Sequence, residues 1–310
     1  MSDLPESFTS LSPDSPSVHA FFEHATSTWQ YIVADPSTSH AVIIDPVLDY
    51  DPASGNISTT TAETLLTFIQ GNGLKVQRIL ESHAHADHLS SSQYLKRRLE
   101  VPGSLIPICI GARIEQVQHT FATVYGLDPS VFLESFDIFL EDEEEFRLGE
   151  LACRVMHLPG HTPDHVGYLI GDSVFCGDSI FLPDVGSARV DFPGGNAHAL
   201  YMSMNRLLSL PDRHRIFVGH DYPPKGRAPR PCATVEEQRR ENKHCKIGIS
   251  EDEFVAFRQA RDAILGSPRL LHQSIQVNVR AGKLPAPDPQ GRAFLKIPLR
   301  NGSAIPSTSV

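Results

Sequence analysis

Ser82-His83-Ala84-His85-Ala86-Asp87-His88 decides how this chain is read. The stretch follows the apolar run Val76 to Leu80 and precedes a helix expected from Ser90 to Leu99. It therefore occupies a loop at a strand's carboxyl end, where α/β folds usually build sites. Three imidazoles and a carboxylate within six positions are more costly polar groups than a plain turn needs. Neutral imidazole is the commonest protein ligand for a transition metal, and a carboxylate is a good partner for a Lewis-acidic ion. Residues two apart in an extended segment project to one side, so His83 and His85 can share an ion. Asp87 and His88 then fall toward a second position.

The same device, a strand running into a loop that bears His or Asp, recurs downstream. Ala152 to Leu158 enters Pro159-Gly160-His161-Thr162-Pro163. A hairpin of Gly167 to Ile170 and Ser173 to Cys176, turned at Gly171-Asp172, delivers Gly177-Asp178. Arg215 to Val218 ends in Gly219-His220-Asp221-Tyr222. Glycine beside each allows the close backbone approach that a crowded ion site requires.

Between these loops the pattern is of mixed helices and strands. Trp29 to Ala34 and Ala41 to Ile44 form an opening hairpin around Asp35-Pro36-Ser37. Thr60 to Gln70 carries Leu65, Leu66, Phe68 and Ile69 on one helical face. Further helices are expected over Ala112 to Tyr125, Ala197 to Leu208, Thr234 to Lys246, and from the capping box Ser250-Glu251-Asp252-Glu253 to Leu265. Strands are expected at Ile106 to Ile110 and Phe146 to Leu148, and Glu141 to Glu145 reads as a solvated acidic turn. Residues 1–17, Ser/Pro-rich, read as a disordered lead-in; 18–232 as the catalytic domain; 233–310 as C-terminal helices and an irregular Pro-rich tail packed on it.

Composition removes several function classes. A formal charge of -10 over 310 residues works against nucleic-acid binding, which draws on clustered Lys and Arg. Cys109, Cys153, Cys176, Cys232 and Cys245 are scattered and odd in number, as reduced thiols of a cytoplasmic protein would be. No apolar run approaches the ~20 residues needed to span a bilayer, so no membrane partner is expected. The N-terminus lacks the basic residues and apolar core of a targeting peptide. The expected partner is a small-molecule substrate, and assembly as a homodimer is allowed for.

The H-x-H-x-D-H run from His83 to His88, followed in order by His161, Asp178 and His220, resembles the metallo-β-lactamase superfamily. That resemblance implies a four-layered αββα sandwich with the metal site at one edge between the sheets. Within the superfamily the chain is similar to the glyoxalase II and persulfide dioxygenase branch. The segments that carry this are Gly177 to Phe181, Arg189 to Phe192, Ala199 to Tyr201, Thr234 to Glu237 with Asn242, and more weakly Asn278 to Gly282. Two departures stand out: extra residues between Ile110 and Phe139, and a longer Leu182 to Ala188 before Arg189. Both are expected near the site, where they would change the substrate.

The resemblance implies two ligand schemes. With two Zn(2+) ions per chain, His83, His85 and His161 hold one, Asp87, His88 and His220 the other, and Asp178 lies between them. A bridging water whose pKa falls to about 7 then attacks a thioester, ester, lactone or lactam. Asp87 counts as catalytic in this scheme because it retains the second ion. With one Fe(2+) on His83, His161 and Asp178, a two-His-one-carboxylate face leaves positions open for oxygen activation on glutathione persulfide. The intact ligand inventory and the enlarged loops put hydrolysis first. His165 and His157 read as supports of the ligands, Cys176 as a buried apolar residue, and Arg189-Asp191 as equally a substrate anchor or an ion pair.

Overall fold

The computed structural model describes residues 4–299. In chain order its first half runs β1 (Glu6–Phe8), β2 (Ser17–Glu23), β3 (Thr28–Ala34), β4 (His40–Ile44), β5 (Val47–Tyr50) and β6 (Ile57–Ser58), then α1 (Thr60–Gly71). It continues with β7 (Lys75–Leu80), β8 (Leu89–Ser90), α2 (Ser92–Leu99), β9 (Ile108–Gly111), α3 (Ile114–Tyr125) and β10 (Ile138–Leu140). The second half holds β11 (Glu145–Leu148), β12 (Leu151–His157), β13 (Val166–Ile170), β14 (Ser173–Phe175), α4 (Ala197–Leu208), β15 (Arg215–Phe217), β16 (Cys232–Thr234), α5 (Val235–Glu241), α6 (Glu251–Asp262) and α7 (Leu271–Asn278).

Two sheets face each other, one of order β1-β2-β3-β4-β7-β9-β10 and one of order β11-β12-β13-β14-β15-β16, with a small β6-β5-β8 sheet beside them. Strands β3, β9 and β14 are buried along their whole length because each sheet is covered twice. Tyr31, Tyr168, Phe175 and Phe217 fill the space between the sheets, and the same core reaches Leu200, Met204 and Leu207 of α4. A second core packs Ala62, Leu65 and Ile69 of α1, Leu95 of α2 and Val117 and Phe121 of α3 on Ile32, Ile43 and Ile79. Helix layer, two sheets, helix layer is the expected αββα sandwich.

Four segments depart from the sequence expectation. Glu6–Phe8, inside the stretch expected to be disordered, pairs with Val18 to Ala20 as an edge strand because the Phe8 ring packs edge-on against Phe217, with centroids 5.4 Å apart. The division after residue 232 falls within β16, whose Ala233 pairs with Ile216. The helix expected from Thr234 to Lys246 ends at Glu241, since Asn242 turns out of helical geometry and donates its amide to the carbonyls of Phe181 and Gly186. The tail expected to be irregular contains α7, whose Ile275, Val277 and Asn278 are buried. Its apolar residues alternate with Gln, Ser and Asn, which masks the helical face in the sequence. No helix among the described residues is long and apolar enough to cross a membrane.

Candidate metal centre

All the expected ligands converge at one edge of the sandwich. The loop after β7 supplies His83, His85, Asp87 and His88; the β12–β13 loop supplies His161; the chain after β14 supplies Asp178; the chain after β15 supplies His220. Gly219 makes the last approach feasible, because a Cβ there would lie 2.5 Å from Asp178 Oδ1 and 2.9 Å from the Gly177 carbonyl carbon. The histidines and Asp178 are all nine-tenths or more buried.

Hydrogen bonds set the tautomers. His161 Nδ1 donates to the Arg189 carbonyl at 2.8 Å, His88 Nδ1 to the Leu89 carbonyl at 3.2 Å, and His220 Nδ1 to the Ser27 carbonyl at 3.2 Å. Ser82 Oγ donates to Asp45 Oδ2 at 2.8 Å and so accepts from His83 Nδ1 at 2.9 Å. Each ring is thereby left with Nε2 as a lone pair turned into the centre. Nε2 of His83, His85, His88 and His220, with Asp87 Oδ2 and Asp178 Oδ1, is buried without a hydrogen-bond partner. Buried polar atoms are normally satisfied, so this orphaned group is what a cation would complete.

Electrostatics keep the donors free. Burial, then neighbouring His85, holds His83 well below the usual imidazole range and pushes His88 down to about 3. Both rings stay neutral and keep the lone pair that an ion needs. Burial raises Asp178, against the pull of His220 and His161. His220, opposed by burial, is raised by Asp178 and then Asp87; its Nε2 lies 3.5 Å from Asp178 Oδ1 and 3.0 Å from Asp87 Oδ2.

Closely set ligand atoms fall into more than one grouping. His83, His161 and Asp178 bring one atom each within 4.8 Å of one another, and His85 instead groups with Asp87 and His88. His85 Nε2 lies 3.1 Å from Asp45 Oδ1 and 3.4 Å from Glu81 Oε2. Those carboxylates, Asp45 first, raise His85 well above the ordinary imidazole value against the effect of burial.

Supporting residues fall where expected or were missed. His165 stacks on His83 at 4.8 Å and accepts the Asp178 backbone N–H at 2.9 Å, so it orients two ligands. His157 donates to the Pro163 carbonyl at 3.1 Å. Burial pushes the Cys176 thiol up to about 12, and its Sγ lies 3.3 Å from the Ile180 carbonyl, which leaves no nucleophile there. Arg189 and Asp191 form an ion pair. Asp45, Glu81 and Asp164 escaped the sequence reading, because a single acid beside a His-rich loop has no spacing to mark it. Asp164, buried, accepts the Ala84 N–H at 2.9 Å.

A cavity of about 980 Å³ opens over Asp87, His161 and Asp178. The long loop before Arg189 supplies part of its wall through Asp184, Val185, Ser187 and Ala188. The added residues between Ile110 and Phe139 do not line it. They include α3, which lies in the outer helix layer and makes a Phe121–Phe192 ring contact at 5.4 Å.

The family model of the metallo-beta-lactamase superfamily matches residues 25–220. This chain belongs to that superfamily. The superfamily member is 46% identical over 285 residues to "Beta-lactamase hydrolase-like protein" of Xylella fastidiosa strain 9a5c, covering 92% of this chain and 65% of that protein. It thus spans less than two thirds of that relative. It is 45% identical over 285 residues to "Glyoxylase B2" of Dictyostelium discoideum, covering 91% of this chain and 96% of the relative. Against mitochondrial persulfide dioxygenase ETHE1 of Homo sapiens it is 29% identical over 264 residues, 84% of this chain and 87% of the other. The crystal structure of ETHE1 from Myxococcus xanthus superposes with a TM-score of 0.68 at 28% identity, over 86% of this chain and 99% of that one. These relatives put the superfamily member in the glyoxalase II and ETHE1-like branch.

Proposed function

We propose that this protein is a metal-dependent oxygenase that oxidises the terminal sulfur of a small thiol persulfide with dioxygen. The observation that carries the proposal is the grouping of His83, His161 and Asp178 as one two-His-one-carboxylate face, while the ligand atoms of His85 group with Asp87 and His88 or with Asp45 and Glu81. A ferrous ion held by such a face keeps open positions for oxygen and substrate. The chain's own residues would do the rest. His83 and His161 would turn Nε2 to the ion because their Nδ1 atoms are engaged elsewhere, His165 holds the Asp178 backbone, and the cavity above Asp178 admits a small substrate. Likeness to ETHE1 supports the same reading.

A second reading, hydrolysis of a thioester, ester, lactone or lactam at two Zn(2+) ions, is favoured by a different observation. Asp87, His88 and His220 also present orphaned atoms to the centre, and the similarity to "Glyoxylase B2" agrees with it. In that scheme Asp87 retains the second ion.

Asp87→Ala separates the two. Purified protein is expected to carry about one iron per chain and to consume oxygen with glutathione persulfide. The variant is expected to keep that metal count, with turnover lowered roughly 10- to 100-fold as for a group acting from outside the ligand set. Two ions per chain in the parent, one in the variant, and thioester hydrolysis without oxygen uptake would establish the second reading in place of the first.

A further inference from the structure

Helix α7 ends on Asn278, which is 4% exposed and bound entirely to the metal-ligand loop. Its Nδ2 donates to the carbonyls of His85 at 2.8 Å and His88 at 2.7 Å, and its Oδ1 accepts the Ser90 N–H at 2.8 Å. The two carbonyls bracket Ala86 and Asp87. A loop that gives four side chains to one centre has no regular ladder to satisfy its own backbone, and buried backbone groups must be satisfied somewhere. A carboxamide offers two donors and one acceptor in a single plane, which matches this need; a carboxylate of the same shape offers no donor.

The segment around that amide is closely packed. Val277 packs with Leu48 and Leu89 in a small apolar cluster. Gly282, at φ +84, passes so close that a Cβ would sit 2.7 Å from the Ser90 carbonyl oxygen. Ser90 and Ser92 hydroxyls donate to Glu81 Oε1, and Glu81 Oε2 faces His85. A contact separated by 190 residues of chain therefore governs the aim of His85, Asp87 and His88.

We propose that Asn278 is a positioning residue of the metal centre, setting the backbone of residues 85–88 so that their side chains meet the ion; this rests on the metal-binding reading above. It does not line the cavity over the centre, and α7 is by this account a structural part of the centre.

The test is equilibrium metal affinity, measured by chelator competition with Fe(2+) and with Zn(2+), in the parent, Asn278→Asp and Val277→Ala. Asn278→Asp is expected to weaken affinity roughly 10- to 100-fold, the range for outer partners of metal ligands. Val277→Ala, in the same helix, is expected to lower Tm of the metal-free protein with affinity within about threefold of the parent. A folded Asn278→Asp with parental affinity overturns the proposal, as does a Val277→Ala loss as large as that of Asn278→Asp. Should Asn278→Asp not fold, Asn278→Ser is read the same way. If neither folds in excess metal while Val277→Ala does, Asn278 serves stability alone and the proposal fails. A parent that binds no metal would instead sink the metal-binding reading itself.

Discussion

Replacing His85 by Gln separates a buried imidazolium from a metal ligand. In the structure Asp45 and Glu81 share His85 Nε2 at 3.1 and 3.4 Å, all three side chains being 4% exposed or less. Removing one member of a buried ion pair costs about 3–5 kcal/mol because the other charge is stranded. Asp45 keeps the Ser82 N–H and hydroxyl, and Glu81 keeps two serine hydroxyls, so the low end, about 3 kcal/mol, applies. At roughly 2–4 °C per kcal/mol, Tm of the metal-free variant falls by about 6–12 °C.

The pH dependence of that loss follows from the signs. His85 is raised in the folded state, so its contribution is complete below its unfolded value near 6.5 and fades as pH rises through the folded one. Asp45 is lowered, opposed by burial and driven by His85 and then Ser82, so its contribution is complete above about 3.8 and fades as pH falls through the folded value. The gap between parent and variant is therefore widest from about pH 4 to 6.5. Urea unfolding of both metal-free proteins across pH 3–8, with metal analysis of the loaded forms, reads it out. A variant that loses an ion while its metal-free stability stays within ~0.5 kcal/mol of the parent would refute the reasoning and make His85 a ligand.

Two further outcomes are expected. Asp35 accepts from Ser37 N, Thr38 Oγ1 and Glu150 N, which together outweigh its burial and bring it to about 2. Asp35→Ala should lose about 2 kcal/mol at pH 7, a difference present above about pH 4 and vanishing as pH falls toward 2, checked by urea unfolding at both ends. Gly219→Ala should drive a methyl against Asp178 Oδ1 and the Gly177 backbone, leaving far-UV dichroism near the parent's but bound metal well below it on elemental analysis.

Much of this protein was legible along the chain because its signals are local. Strand and helix periods placed α4 at Ala197–Leu208 and the α6 capping box at Ser250, where the Ser250 and Glu253 side chains do bond reciprocally. Costly residue types clustered at strand ends picked out His83, His85, Asp87, His88, His161, Asp178 and His220 before any contact was known. What only the tertiary structure decided are the relations between distant segments. A ligand's second nitrogen is satisfied by whatever carbonyl or hydroxyl the fold brings to it, as the Arg189 carbonyl is brought to His161 Nδ1. Nothing in the residues themselves says that Asp45 and Glu81 will lie 3.1 and 3.4 Å from His85 Nε2. The same holds for α7: its sequence is weakly amphipathic and reads as tail, and its role appears only when packing carries Asn278 to the carbonyls of His85 and His88. Side-chain chemistry is written in the sequence; which groups exhaust one another's hydrogen-bonding and charge capacity is set by distance, and distance belongs to the fold.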